Sequence, residues 1–447
     1  MGFSEKFVWG AATASYQVEG AAYEGGKGEH IWDVACKRGR DIYHFHTAES
    51  GCDHYHRFRE DVAIMKETGL KAYRFSLSWT RLFPDGRGEL NPEGVRFYNE
   101  LIDELLRAGI EPYVTLFHWD YPYQLYLRGG WLNPDSPVWF EEYAAKVAEL
   151  FSDRVKYFIT VNEPQCFIGL GLYKGEHAPF LKLSPEEALL AWHNALKANG
   201  LAVRALRAHA KQPLQIGIAI ANDVLMPYTQ ADAALAEAEN FIPRTDNFFT
   251  NSLFTDPVVF GRYPEGMAEA FGAEFIYDQA DMETIKCDID FIGLNIYHGS
   301  YVKSDGKGGA VRVTPGMNMP LTDMRWPVTP ESLYYGPKAF YKRYGLPIYI
   351  TENGVAVTEW PSADGGVHDA ARTEYIRGYL RQLKRAAEDG ADIRGYFYWS
   401  FMDNFEWAEG FSKRFGLVYV DYDTKQRIPK DSARAYRDII AANGADL

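Results

Sequence analysis

Two glutamates stand out by their surroundings. Glu163 lies in ITVNEP and Glu352 in YITENG, each after a short apolar run and each beside an asparagine, Asn162 and Asn353. Two carboxyls facing each other across a pocket can hydrolyse a glycosidic bond. One is protonated and helps the leaving oxygen depart; the other is ionised and attacks the anomeric carbon or activates water. A separation of about 5–5.5 Å gives retention and about 6.5–9.5 Å gives inversion; a sequence does not contain that distance. A plainer role for each glutamate is a salt bridge to a rim arginine. The asparagines could likewise be helix caps rather than sugar ligands. Two Glu–Asn pairs at two run ends favour the catalytic reading.

Other run ends carry polar or aromatic groups too. His118 follows TLF, Asn295 and Tyr297 close GLNIY, and Trp399 closes YFYWS. Arg74, in AYRFSLSW, can hold a nearby carboxylate ionised or serve as a structural ion pair. The richest segment is YWSFMDNFEWAEGFSKRFGLVYVDY. Its Trp399, Trp407 and Phe415 offer apolar faces for the C–H side of a pyranose, and Glu406 offers a bidentate acceptor for two neighbouring hydroxyls. Core packing explains most buried tryptophans, but a buried carboxylate without a partner is costly and points to a ligand. Gln17, in SYQVEG, can both donate to and accept from sugar hydroxyls. His44, His46, His54 and His56 with Cys52 form a loose grouping. The second histidine pair reads as helix, where residues two apart diverge, so no metal site is expected. The chain has no G-x-S-x-G elbow, no HExxH and no glycine-rich phosphate loop.

Residues so far apart need a frame that brings them together. Eight apolar, β-branched runs recur: 7–14, 72–79, 111–118, 157–164, 215–220, 290–297, 347–354 and 394–400. Helical patterns separate several of them. In NPEGVRFYNELIDELLRAGI, residues Val95, Tyr98, Ile102 and Leu105 share one face and Gly109 ends the helix. Alternation of strand and helix predicts a parallel sheet, and eight strands close a (β/α)8 barrel. The rival is an open doubly wound sheet, which would usually show a phosphate-binding turn after an early strand. In the barrel all strand C-termini meet at one face, so Glu163 and Glu352 share a rim although 189 positions separate them (352 − 163).

Composition bounds the rest. With 47 Lys and Arg against 61 Asp and Glu, the 447-residue chain has a formal charge of −14, which argues against nucleic acid or an anionic membrane surface as main partner. Hydrophobic residues are 47% of the chain, enough for a large core. No linker or low-complexity tract divides it, so a single unit over 1–447 is expected. Neither a signal-type leader nor a membrane-spanning run is read. Four cysteines, Cys36, Cys52, Cys166 and Cys287, without a CxxC read as reduced thiols, and the expected location is the cytoplasm. Homo-oligomerisation is left open.

Taken together, FVWGAATASYQVEG, YRFSLSW, LFHWD, TVNEP, GLNIY, ITENG, YWSFMDNFEW and GLVYVDYDTKQRIPKDSA resemble the successive signatures of glycoside hydrolase family one, the β-glucosidase family, over essentially the whole chain. That resemblance implies an α/β (β/α)8 TIM barrel whose extended βα loops form a blind pocket at the C-terminal face. It implies a retaining exo-β-glycosidase that needs no cofactor or metal and takes a β-linked disaccharide or an aryl or alkyl β-glucoside. By similarity Glu163 is the acid/base and Glu352 the nucleophile. Gln17, His118, Asn162, Glu406 and Trp407 match sugar-binding positions, and Trp399 matches the stacking platform. Arg74 and Tyr297 match groups that orient the nucleophile, and Asn295 lies near the acid/base. The branch acting on 6-phosphorylated sugars has a tyrosine where this chain has Phe415, and Glu406 would repel a phosphate. Two further functions compete on the same barrel: transglycosylation and non-catalytic sugar binding. Tyr121, Tyr123 and Tyr126 stand where the family more often has smaller or polar residues, implying an aromatic aglycone side. Gln165 replaces a common tryptophan.

Overall fold

Each of the eight apolar runs becomes a strand because β-branched and aromatic side chains pack well on both faces of a covered sheet. The computed structural model describes every residue except Met1, Arg40 and Pro315. Its barrel strands are β1 (Val8–Ala12), β2 (Ala72–Ser76), β3 (Glu111–Phe117), β4 (Tyr157–Asn162), β5 (Gln215–Ala221), β6 (Phe291–Asn295), β7 (Ile348–Asn353) and β8 (Ile393–Trp399). They are hydrogen-bonded in parallel in the order β1-β8-β7-β6-β5-β4-β3-β2 and close on themselves. At the seam Ala12 lies level with both Arg74 and Trp399.

The helices that return the chain are α1 (His54–Glu67), α2 (Pro92–Ala108), α3 (Ser136–Phe151), α4 (Pro185–His209), α5 (Ser252–Phe260), α6 (Ser332–Tyr344), α7 (Ala370–Glu388) and α8 (Asp431–Ala441). Helix α2 shows why its bounds fall where they do. Asn91 accepts from the Glu93 amide at the start, Pro92 needs no donor there, and Gly109 ends the helix at φ 77°. Its buried stripe is Phe97, Tyr98, Leu101, Ile102 and Leu105; Val95, expected on that face, is only half-buried near the helix start.

Two apolar layers fill the molecule. Inside the barrel, Ala72, Tyr113, Ile159, Ala219, Phe291, Tyr349 and Phe397 pack into a floor. Tyr113 stacks on Tyr157 at 4.2 Å and meets Phe397 at 4.8 Å. Large rings are paired with glycines: a Cβ on Gly217 would lie 2.4 Å from the Phe291 ring. The barrel is therefore a packed core and not a pore, and the space at the C-terminal ends of the strands is closed below by this floor. The second layer lies between sheet and helices. Three further strands, Val224–Pro227, Gly299–Ser304 and Ala310–Arg312, form a small sheet outside the barrel. Among the described residues no helix is long and apolar enough to cross a membrane.

Candidate active site

The C-terminal ends of the strands line a cavity of about 690 Å³. Its wall includes His118, Glu163, Asn295, Tyr297, Glu352, Trp399, Glu406, Trp407 and Phe415, nine of the residues singled out above. Arg74, Asn162 and Gln17 are almost fully buried just behind it.

Arg74 organises the centre. Its Nη1 donates to Glu352 Oε1 at 2.7 Å and its Nη2 to Asn162 Oδ1 at 2.6 Å. Thr115 and the Thr351 carbonyl accept its remaining bonds. Tyr297 OH donates to the other Glu352 oxygen at 2.6 Å. Because arginine only donates, Asn162 must present its oxygen to Arg74. Asn295 Nδ2, 3.1 Å from that same oxygen, is therefore a true donor, and it also donates to Glu163 Oε1 at 2.7 Å. Thr351 Oγ1 fixes the far side of the Asn295 amide at 2.6 Å. One chain of bonds thus runs Glu163–Asn295–Asn162–Arg74–Glu352.

The same logic sets a histidine tautomer. The Asn162 amide nitrogen donates to His118 Nε2 at 3.1 Å, so the proton of His118 sits on Nδ1. Burial and the nearby Arg74 push His118 well below its usual range, so the ring is neutral. Nδ1 is buried without a protein partner, as are one oxygen of Glu406 and Oε1 of Gln17. Gln17 Nε2 is already used by the Phe405 carbonyl at 2.7 Å. These are one donor and two acceptors that a polyhydroxylated ligand would satisfy. Ring faces accompany them: His118 stacks between Trp399 at 5.8 Å and Trp407 at 5.9 Å.

The two central carboxyls have different surroundings. Burial raises both. At Glu352 the rise is opposed by the Arg74 charge and by bonds from Tyr297 and Arg74. At Glu163 the negative charge of Glu352 adds to burial and carries the group to about 8. Glu352 is thus the member that ionises first, and Glu163 the one that keeps a proton. Glu406, whose carboxyl accepts no hydrogen bond among the described residues, is also pushed up to about 8, by burial and then by Glu352 and Glu163.

Local backbone explains how these side chains arrive. Glu163 follows β4 at φ 49°, a left-handed turn rare for a residue with a Cβ. Glu352 and Asn353 are neighbours in β7 and face opposite ways. Asn353 is consequently no sugar ligand: its amide donates to the Ile296 carbonyl at 2.7 Å and its oxygen accepts from Tyr396.

Other expectations need correcting. Tyr121 is buried against Trp131 at 5.0 Å, and Tyr123 and Tyr126 stack on each other at 5.8 Å; none of the three lines the cavity. Gln165 is buried and does not line it either. The aromatic residues that line the cavity beyond those expected are Trp326, Trp119 and Phe249. Trp326 sits 5.2 Å from Tyr297 and 6.2 Å from Phe415. Nothing in its loop sequence shows periodicity, so only the fold reveals it. Trp119 sits next to His118 in FHWD and was legible by adjacency. Cys166, His177, Asn222, His298 and Arg312 complete wall and mouth. Of the His/Cys grouping, His54 bonds Asp61 at 2.7 Å, Cys52 the Asp403 carbonyl at 3.0 Å, and His46 the Phe411 amide at 3.0 Å. Among the described residues no three His, Cys, Asp or Glu side chains are grouped to hold a metal ion.

The model of glycosyl hydrolase family 1 matches residues 1–445. The chain belongs to that family and is a glycosidase. Among family 1 relatives, a 1,4-beta-D-glucan glucohydrolase of Thermotoga neapolitana is 42% identical over 99% of both chains. Beta-glucosidase A of Acetivibrio thermocellus is 40% identical over 99% of both. The beta-glucosidase of Thermotoga maritima in complex with glucoimidazole superposes with a TM-score of 0.91, at 41% identity over 99% of both chains. The family 1 barrel expected from the strand count is the one observed.

Proposed function

We propose that this family 1 enzyme is a retaining exo-β-glucosidase that releases terminal non-reducing β-D-glucosyl residues, with galactosyl and fucosyl residues as further glycones. The observation that carries this reading is the asymmetric carboxyl pair. Glu352 is bonded by Arg74 and Tyr297, while Glu163, at the other end of the network, is held proton-bearing. The names of the relatives, beta-glucosidase and glucan glucohydrolase, support the glycone. A Thermotoga maritima complex with galacto-hydroximolactam supports tolerance at C4.

In the first displacement Glu352 attacks the anomeric carbon while Glu163 protonates the departing aglycone oxygen. A glycosyl ester forms on Glu352. In the second, Glu163, now ionised, takes a proton from water as the water oxygen attacks the same carbon. Glu352 leaves as carboxylate, and the β configuration is restored. His118 Nδ1 donates to a glycone hydroxyl, Gln17 Oε1 and Glu406 accept from others, and Trp399, Trp407 and Phe415 cover the apolar faces. Asn295, Asn162 and Arg74 hold the pair in place. No step requires a cofactor or metal. We read residues 1–447 as one catalytic unit. The four unpaired cysteines support a reducing compartment, the cytoplasm. A 6-phosphoglycoside is disfavoured: among the described residues no lysine lines the cavity, and Glu406 and Phe415 occupy its wall. With an acceptor sugar in place of water, the same intermediate transglycosylates.

Proton NMR of the sugar released from an aryl β-glucoside in the first minutes tests this reading. A β-anomer that later drifts to the α/β mixture is expected. An α-anomer first would mean inversion and sink the nucleophile assignment. Product analysis with excess acceptor sugar measures the transglycosylating share.

A further inference from the structure

Among the described residues, Cys166 is the wall residue beside the acid/base whose chemistry the two displacements leave unused. It sits on the first turn after Glu163, with its backbone amide donating to the Glu163 carbonyl at 2.9 Å. Helical side chains lean back toward the preceding turn. The thiol therefore returns to the carboxyl, and Sγ lies 3.2 Å from Glu163 Oε2. The other oxygen, Oε1, accepts from Asn295. That amide donor is fixed by Asn162 and Thr351 and cannot turn round. The transferable proton of Glu163 therefore belongs on Oε2, beside the thiol. An amide nitrogen can only donate, but a thiol donates through S–H and accepts weakly through sulfur. Cys166 is thus a partner that suits both protonation states of Oε2.

We propose that Cys166 is a positioning residue for the acid/base, its thiol holding Glu163 Oε2 in both protonation states and favouring the ionised state needed in the second displacement. The proposal rests on the reading of Glu163 as acid/base. No bond to sulfur forms or breaks. In the second displacement the S–H donates to carboxylate Oε2 while a lone pair of that carboxyl takes the water proton. The charged and titratable groups around Glu163 are Glu352 on β7, His118 after β3, Tyr297 after β6 and Glu406 after β8 in the cavity wall, with Arg74 on β2 buried behind it. Glu352 opposes ionisation of Glu163, and Arg74 favours it together with Asn295 and Cys166.

The test uses full-length Cys166→Ala and Cys166→Ser with an activated aryl β-glucoside, for which the second displacement limits kcat. In Cys166→Ala, the alkaline limb of kcat/KM and the acid limb of kcat should both move up by about half a pH unit. In Cys166→Ser, whose hydroxyl is a stronger donor than the thiol, both limbs should fall below the parent positions. A role in packing alone would lower rate and melting temperature with the limbs unmoved, and that result overturns the proposal. If the alanine variant does not fold, the serine variant decides alone: limbs unmoved or raised reject the proposal, and limbs lowered support it. Glu163→Ala with added azide is run in parallel. Formation of β-glucosyl azide with unmoved Cys166 limbs rejects only the thiol's role. No azide adduct rejects the acid/base reading itself.

Discussion

At the residue scale, function rests on making two like groups behave differently. Glu352 and Glu163 are both buried glutamates at strand ends, yet Arg74 and Tyr297 bond only the first. Replacing Glu352 by Gln should keep one acceptor oxygen for Arg74 and turn an amide N–H toward Tyr297, whose hydroxyl can accept it, leave the circular dichroism spectrum unchanged, and cut kcat/KM by more than about 10³-fold. Activity within a few fold of the parent would remove Glu352 as nucleophile. Glu163→Ala should cost about 10²–10⁴-fold with poor leaving groups and far less with activated phenols. Initial rates over a series of aryl glucosides measure the contrast; a uniform loss would count against the acid role. The pH profile of kcat/KM should be a bell. Glu352 must be ionised, which sets the acid limb. Glu163, raised to about 8, must keep its proton, which sets the alkaline limb. Both limbs belong to the interacting pair.

At the element scale, strand ends aim the side chains and the turns after them leave no slack. Along β7 the period of two sends Glu352 inward and Asn353 outward to Ile296 and Tyr396. Gly354 follows directly, and a Cβ there would lie 1.7 Å from the Trp399 carbonyl oxygen at the end of β8. The ENG triplet is therefore one geometric unit: a carboxyl in, an anchor out, and a glycine that lets two strand ends approach. Gly354→Ala should destabilise the protein by roughly 3 kcal/mol or more, since the obstacle is backbone and cannot swing away. It should also reduce kcat by displacing Trp399 and Glu352 together. Thermal unfolding and kinetics on one preparation check both, and an unchanged melting temperature would refute the packing argument.

At the scale of the whole molecule, closure of the barrel concentrates acidic groups under one roof. Glu406 and Glu163 are each held near 8 against an ordinary value of 4.5. The sign follows by linkage: between those values the folded state binds protons that the unfolded state has lost. The stability that these two carboxyls contribute to the empty enzyme should therefore fall as pH rises from about 4.5 to about 8 and level off above. Glu406→Gln should flatten part of that slope, with a higher melting temperature than the parent at pH 8 and little difference near 4.5. Scanning calorimetry across that range measures it; parallel slopes for the two proteins would show that Glu406 is not raised in the empty site. The relatives' near-complete overlap with this chain, 99% of each length, fits one frame serving the whole sequence.

The sequence by itself determined the eight strands, their parallel order of use and the identity of most polar groups at the rim. It could do so because local periodicity and strand ends are properties of neighbouring residues. Arg74, Glu163, Asn295 and Glu352 were legible for that reason. The tertiary structure alone decided which neighbour points inward, as with Asn162 against Asn353. It moved Tyr121, Tyr123 and Tyr126 out of the cavity wall and brought Trp326 into it. It also set the proton positions on His118 and Glu163, because those follow from a chain of donors drawn from β2, β4, β6 and β7. No window of sequence contains that chain, since its links are tens to hundreds of residues apart and meet only when the barrel closes.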